Sequence, residues 1–504
     1  MACKILPMEI YLDANATTPV LPQARAAALS TMADLFGNPS STHGAGLKAR
    51  ALLDGVRAAA RRVLAVPSGR LLFTSGATEG IQTAVLSALH ALRQRRDAGQ
   101  TVPALLLYGA TEHKAVPEAI RHWNALLGLH LRVQAIPVGL DGRHDLAWLR
   151  SHAAHAGLVC TMAANNETGA ISDLDGIADA LAGSPALWLV DGVQALGKLD
   201  LQLQARRIDY APFSGHKLYA PKGIGLLYVR EGAPFTPLQA GGGQEDGQRA
   251  GTENMAGIAA FGAVLQALDA GDVFAAPAVL QAHRSQLAAA LQDAFPGVVF
   301  NAPFATSLPT TLNIAVPGVP AQTLIGLFDA AGLRVSGGSA CSAARAEPSY
   351  VLQAMGLPAW QAASAVRLSF GAVDDAAFVA QACDRLRGCG AALRAAGAQG
   401  EAACEMDASA VRQALQARPS PLVVDVREAD EQSLQPAAGL AAEAVPLSSL
   451  DEALPRWQGL PATTPVIFVC RSGRRSAQAA AALRRQGHAN TWSLAGGLAQ
   501  WNAA

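Results

Sequence analysis

Between Ile10 and about Ala270, short apolar runs alternate with Ala-rich amphipathic segments. LLFTSGATEG, PALLLYGATEHK, GLVCTMAANNETG, ALWLVDGVQALG and IDYAPFSGHK each read as a strand that ends in a small or polar turn. Helix-like stretches lie between most of them. Repeated strand–turn–helix units predict a parallel or mostly parallel sheet covered by helices. In such sheets the polar residues just after the strands gather at one edge, where ligands bind. Thr78, His113, Asn166, Asp191 and Lys217 are therefore expected to converge although they are far apart in sequence.

From about Phe274 to Gly397 the pattern changes. A helix over VLQAHRSQLAAALQDAF, a strand over TTLNIAV, a helix over AQTLIGLFDAAG and a loop around Cys341 precede AVRLSFG and a last long helix. This predicts a smaller α+β subdomain. AQGEAACEMD reads as a polar linker, with Asp407 capping the next helix. LVVDVRE, PVIFVC, RRSAQAAAALRRQG and NTWSLAGG then make a compact α/β unit of about 100 residues. No internal repeat is visible.

The chain has 504 residues, too many for one compact core. With 51% apolar and 15% charged residues and a formal net charge of zero, it reads as a well-packed enzyme. Nucleic acid and anionic membrane are not expected as partners. No apolar run is long enough to span a bilayer, and the N-terminus lacks a signal-peptide core, so a cytoplasmic location is expected. The seven cysteines show no framework or metal-ligand spacing, so free thiols and no metal are expected. The six lysines are Lys4, Lys48, Lys114, Lys198, Lys217 and Lys222, so any lysine with a chemical task lies in the first half.

SGHKLYAPKG places Lys217 in a Gly- and Ser-bounded turn after an apolar strand. LWLVDGVQ puts Asp191 at a strand end, and FTSGATEG offers a strand, a Gly turn and a helix start whose N–H groups suit a phosphate. Each alone is an ordinary turn or buried polar residue. Together they match the needs of pyridoxal 5'-phosphate (PLP): a lysine for the Schiff base, a carboxylate for the pyridine nitrogen and a phosphate cradle.

YLDANATTP, FGNPSSTHG, FTSGATEG, TEHKAV, NNETG, VDGVQALGKL, SGHKLYAPKGIG, RAGTEN, SGGSACS and EPSYVL resemble, in order, the cysteine desulfurases. These belong to the class V aminotransferases of PLP fold type I, and the resemblance covers roughly residues 9 to 395. It implies that Lys217 carries the cofactor, that His113 stacks on its ring as an acid–base group, and that Asp191 pairs with the pyridine nitrogen. Asn166 and Gln194 would address the phenolic side, while Ala77, Thr78, Ser214 and His216 hold the phosphate. Thr252 would reach the phosphate of a partner subunit, which implies a homodimer. Arg367 would clamp the carboxylate of L-cysteine, assisted by Asn15 and Asn166. Cys341, set among glycines, serines and alanines, would be the nucleophile that takes the sulfur as a persulfide and leaves L-alanine.

Near the end of the chain, FVCRSGRRSA runs an apolar strand into Cys470, then a tight turn and a helix start. Inward N–H groups there form an anion nest that favours a thiolate or persulfide. With DVRE before it and LAGGLAQW after it, this region resembles a single rhodanese domain over about residues 407 to 504. Cys470 would carry sulfur in a cradle of Arg471, Ser472, Gly473, Arg474, Arg475 and Ser476. The loop is shorter than that of the phosphatases with a similar cysteine. AAGLAAEAVPL departs from the Gly-His-Ile-Pro-Gly-Ala-like run usual in rhodaneses.

The expected architecture is α/β: a desulfurase over 1–395, a linker over 396–406 and a rhodanese-like domain over 407–504. Within the desulfurase, a large mostly parallel sheet part covers about 15–270, and the N-terminus joins a small part over 271–395. A linker of about ten residues spans at most roughly 35 Å and can hold two thiols at an effective concentration around millimolar. Sulfur would pass from Cys341 to Cys470 and on to a small thiol, cyanide or a protein acceptor. Three rival readings predict other behaviour: a rhodanese unit that only docks partners, selenocysteine lyase chemistry, and phosphate-ester or arsenate chemistry at Cys470.

Overall fold

In the computed structural model, residues 9–337, 348–398, 404–435, 437 and 439–501 are described. The expected nucleophile Cys341 lies outside them, as do residues 399–403 of the expected linker. The chain packs as two compact units, Met1–Ala321 with Gly332–Arg387, and Gln322–Ala331 with Gly388–Ala504.

The first unit is built on a seven-stranded sheet: β1 (Arg70–Thr74), β2 (Leu105–Gly109), β3 (Arg132–Ile136), β4 (Ala156–Met162), β5 (Leu187–Asp191), β6 (Tyr210–Ser214) and β7 (Gly225–Val229). Its spatial order is β1-β7-β6-β5-β4-β2-β3. All neighbours run parallel except at β7, which is antiparallel to both β1 and β6. The cause is the connection. Only Gly215–Ile224 separate β6 from β7, too few residues for the crossover a parallel pair needs.

Both faces of the sheet are covered, so its strands read as continuous apolar runs rather than alternating ones. Successive residues feed two cores. Leu71, Phe73, Leu226 and Tyr228 point into one, while Leu72, Leu227 and Val229 point into the other. Helix α1 (Ala77–Asp97) follows β1, and α2 (Ala115–Leu126) follows β2. A smaller antiparallel sheet, β8 (Val299–Phe300), β9 (Thr311–Ala315) and β10 (Val366–Ser369), lies later in the chain in the order β10-β9-β8. The N-terminal residues Ile10–Tyr11 pair in parallel with Leu333–Arg334, joining the chain start to this later segment.

The second unit carries a fully parallel five-stranded sheet of β11 (Glu405–Met406), β12 (Leu422–Asp425), β13 (Ala442–Ala444), β14 (Val466–Val469) and β15 (Thr491–Leu494). Its order is β11-β15-β14-β12-β13. Val424 and Phe468 pack with Trp457 on one face, and Val423, Ile467 and Leu494 pack with Trp501 on the other. Asp407 caps the helix Ala408–Gln416 by accepting from the Ala410 N–H at 2.7 Å, as its sequence position predicts. Four residues, Cys470 to Gly473, separate β14 from helix α3 (Arg474–Arg485). Among the described residues no helix is long and apolar enough to cross a membrane.

Candidate active site

Because β1, β2, β4, β5 and β6 run the same way, the residues after their C-terminal ends meet at one edge. Thr78, His113, Asn166, Asp191 and Lys217 all line a single cavity of about 510 Å³. Asn15, Ala77, Gln194, Ser214, His216 and Arg367 line it too. Thr252 does not; it is exposed outside this cavity. Lys222, another of the six lysines, also lines the cavity.

Lys217 sits on the short β6–β7 turn, where its Nζ donates to the carbonyls of Asn15 (2.7 Å) and Ala16 (2.6 Å). Beside it the turn before α1 lies against β7. A Cβ on Gly225 would come within 2.7 Å of the Gly76 Cα, so only glycine lets these backbones approach. The first N–H groups of α1 have no partner within the helix, which makes this end anion-seeking. His216 is part of the same wall. Burial first, then the charges of Lys217 and Lys222, hold it down at about 4, so it is a neutral hydrogen-bonding group.

Asp191 ends β5, buried, with one carboxylate oxygen accepting from the Val193 N–H at 2.9 Å. Burial raises its pKa, while that N–H, His113 and Lys217 oppose the rise. His113 accepts from the Ala115 N–H at Nδ1 (3.2 Å), so the neutral ring keeps its proton on Nε2. Its pKa is lowered, by lost hydration first and by the Lys217 and Lys114 charges, with Asp191 pulling the other way. Glu112, just before it, is pushed well above the carboxylate range by burial and by Asp191.

Arg367, also lining the cavity, is 1% exposed on β10. Its guanidinium donates to the Asn166 carbonyl (2.8 Å) and to Asp13 (2.6 Å). Asp13 has no role in the sequence reading, although it lies inside the motif YLDANATTP. Asn15 Oδ1, Asn166 Oδ1 and Arg367 Nε are buried without a partner. Such atoms are costly to leave unpaired and mark where a polar ligand belongs. An amine, a buried carboxylate, a helix N-terminus and these open polar atoms around one cavity fit PLP and an amino acid.

His144, outside the cavity lining, is buried with no partner at Nε2, and burial holds its pKa down at about 4. The unfolded chain takes up the proton first, near pH 6.5, so the stability His144 contributes is present above that pH and is lost as pH falls from 6.5 to 4. The loss is on the order of 3 kcal/mol. Urea unfolding of the protein across this range should show a shallower pH slope in His144→Gln than in wild type.

In the second unit Cys470 follows β14 and is 1% exposed. Its Sγ accepts from the Ser476 N–H at 3.4 Å and lies 3.4 Å from the Ser476 hydroxyl. Ser493, from β15, reaches the Ser476 Oγ at 2.9 Å. Gly473 turns the chain into α3 with φ of 87°. The LAGG corner backs the loop: the Leu498 N–H donates to the Cys470 carbonyl (2.8 Å) and the Ala499 N–H to that of Arg471 (3.0 Å). Of the expected cradle, Ser476 is in contact with the sulfur, Arg471 and Ser472 are exposed, and Arg475 is engaged by Glu431 at 2.7 Å. That pair holds Glu431 down at about 2. Arg427 and Asp425 of DVRE pair with each other, buried, at 2.6 Å.

Comparison with known proteins agrees with both arrangements. The Aminotransferase class-V family matches residues 10–381, and the Rhodanese-like domain family matches 407–504. A cysteine desulfurase of Cereibacter sphaeroides is 38% identical over 362 residues, covering 71% of this chain and 90% of that protein. A solved NifS-like protein is 30% identical with a TM-score of 0.67, over 76% of this chain and 99% of the other. The X-ray structure of a NifS-like protein from Rickettsia africae is 27% identical with a TM-score of 0.64, over the same shares. With its mixed seven-stranded sheet and its separate parallel sheet, the chain belongs to the class V aminotransferase family, as a cysteine desulfurase-like enzyme that carries a C-terminal rhodanese domain.

Proposed function

We propose that the protein is a PLP-dependent cysteine desulfurase that takes sulfur from L-cysteine onto Cys341, relays it to Cys470 and releases it to a thiol or other nucleophilic acceptor. The observation that carries the first half is the convergence of Lys217, Asp191, His113, Arg367 and the α1 N-terminus on one cavity. Residues 1–395 would form the desulfurase, 396–406 the linker and 407–504 the sulfur-accepting domain.

PLP, when bound, supplies an electron sink for bonds around the substrate carbon. The chain supplies the rest. Lys217 would hold the cofactor covalently, Asp191 would keep its ring nitrogen protonated, and His113 would stack on the ring. Ala77, Thr78, Ser214 and His216 would take the phosphate. Arg367, already aimed by Asp13, offers a fork suited to the substrate carboxylate, with Asn15 and Asn166 beside it. His113 Nε2 can move a proton to or from the substrate.

Sulfur then moves by thiolate displacement. The Cys341 thiolate attacks the substrate sulfur, an S–S bond forms, and the C–S bond breaks. The C–S electron pair stays on the substrate carbon, which takes a proton and leaves as L-alanine. Next the Cys470 thiolate attacks the terminal sulfur of that persulfide. The new S–S bond forms as the old one breaks, and Cys341 returns as a thiolate. No oxidant is consumed.

A homodimer fits the surface of the first unit. Leu29 and Met32 of the helix Pro22–Asp34, with Phe36 (76% exposed) and Leu47, leave large apolar side chains in water. A second copy would cover them and could bring its own Thr252 to the cradle.

One observation favours a docking role for the second unit: the Cys470 thiol is almost fully buried, and Arg475 is neutralised by Glu431. Peptide mass mapping after a brief reaction with sulfur-labelled L-cysteine separates the readings. The relay predicts label on both cysteines in wild type, on Cys341 alone in Cys470→Ser, and on neither in Cys341→Ser. Label confined to Cys341 in wild type would instead make the rhodanese unit a docking module.

A further inference from the structure

We propose that Lys198 is a positioning residue that fixes which end of the Gln194 side-chain amide faces the cofactor cavity. The inference rests on PLP being held at Lys217, and it concerns a lysine that the chemistry above leaves without a task.

Lys198 lies four residues after Gln194, in the turns that follow β5, and its side chain folds back so that Nζ is 3.0 Å from Gln194 Oε1. An ammonium has three donors and no acceptor, so the atom it meets must be the amide oxygen. The amide NH2 then points the other way. One of its hydrogens goes to the Asn15 carbonyl at 3.0 Å, which leaves a second donor on a residue that lines the cavity. The Asn15 carbonyl favours the same orientation, but it is a neutral acceptor. The charge-assisted contact from Lys198 is roughly twice as strong as a neutral one. Burial, with the charges of Lys217 and Arg367, lowers the Lys198 pKa to about 8, which leaves it the charged donor at neutral pH.

The amide therefore offers a donor, not an acceptor, to the phenolic oxygen of the cofactor. That oxygen carries more negative charge once the bound cofactor has lost its titrating proton. A donor aimed at it lowers the pH midpoint of that loss, and removing the donor raises it.

The test titrates PLP into the full-length apoprotein and follows the visible absorption of the bound cofactor against pH. Lys198→Met is expected to weaken PLP binding about tenfold and to move the absorption midpoint upward. Lys198→Arg, which keeps donors and charge, should restore part of both. In a Gln194→Leu background Lys198→Met should add no further change. Lys198→Gln, which keeps a polar group but can donate or accept, covers the case of a methionine variant that does not fold; it too should bind PLP more weakly. Unchanged affinity and midpoint in the Lys198 variants, or losses that add to those of Gln194→Leu, overturn the proposal. A wild-type protein with no visible band lost on Lys217→Ala would instead remove the cofactor reading beneath it.

Discussion

Lys217→Ala is expected to lower L-cysteine turnover by on the order of a thousandfold or more, because in the proposed function it removes the covalent anchor. The fold should survive. The lost side chain sits on a two-strand connection whose ladder stays intact, and the carbonyls of Asn15 and Ala16 lose donors worth about 1 kcal/mol each. Asn15 keeps the Gln194 N–H as a donor to its carbonyl. The expected signature is therefore lost turnover and lost visible absorption in a protein that melts within a few degrees of wild type. Alanine production measured by chromatography, beside a melting curve, checks it. Turnover that persists in the variant removes Lys217 from the chemistry.

Gly497→Ala should have the largest structural effect of any single methyl group in the second unit. Gly497 has φ of 61°, and a Cβ there would fall 2.4 Å from the Cys470 carbonyl oxygen and 2.5 Å from the Gly473 nitrogen. Both neighbours are backbone, so neither can swing aside. Left-handed strain and the clash together cost about 3 kcal/mol or more, a large share of the stability of a domain this size. Calorimetry should show a transition lost or moved to lower temperature. Production of alanine from cysteine should persist, while labelling of Cys470 disappears. An unaltered calorimetric trace would mean that the corner can yield.

Much of this was readable in the chain, for a physical reason. A fully covered parallel sheet needs uninterrupted apolar runs, and its ligand edge collects whatever polar residue ends each run, so Thr78, His113, Asn166, Asp191 and Lys217 could be grouped without coordinates. The reversal of β7 was harder to see. IGLLYV looks like any other buried strand, and direction is set by the length of the connection before it. Asp13 and Arg367 pair across 354 residues, a separation that leaves no periodic trace. Lys198 stood inside a recognised motif, but its meaning depends on a side chain folding back onto Gln194. The cradle around Cys470 was legible as a turn, whereas the pairing of Arg475 with Glu431 required the fold.

The tie between the two ends of the first unit bears on how the protein is made. Asn15 bonds to Ser369, Asp13 to Arg367, and Ile10–Tyr11 to Leu333–Arg334. The cavity wall thus cannot close until the ribosome has passed residue 369, however early the seven-stranded sheet collapses. About a hundred residues then remain before Cys470 is added, roughly 5 to 20 seconds of synthesis. During that interval a nascent chain can complete the cavity lined by Lys217 and Arg367 before Cys470 exists.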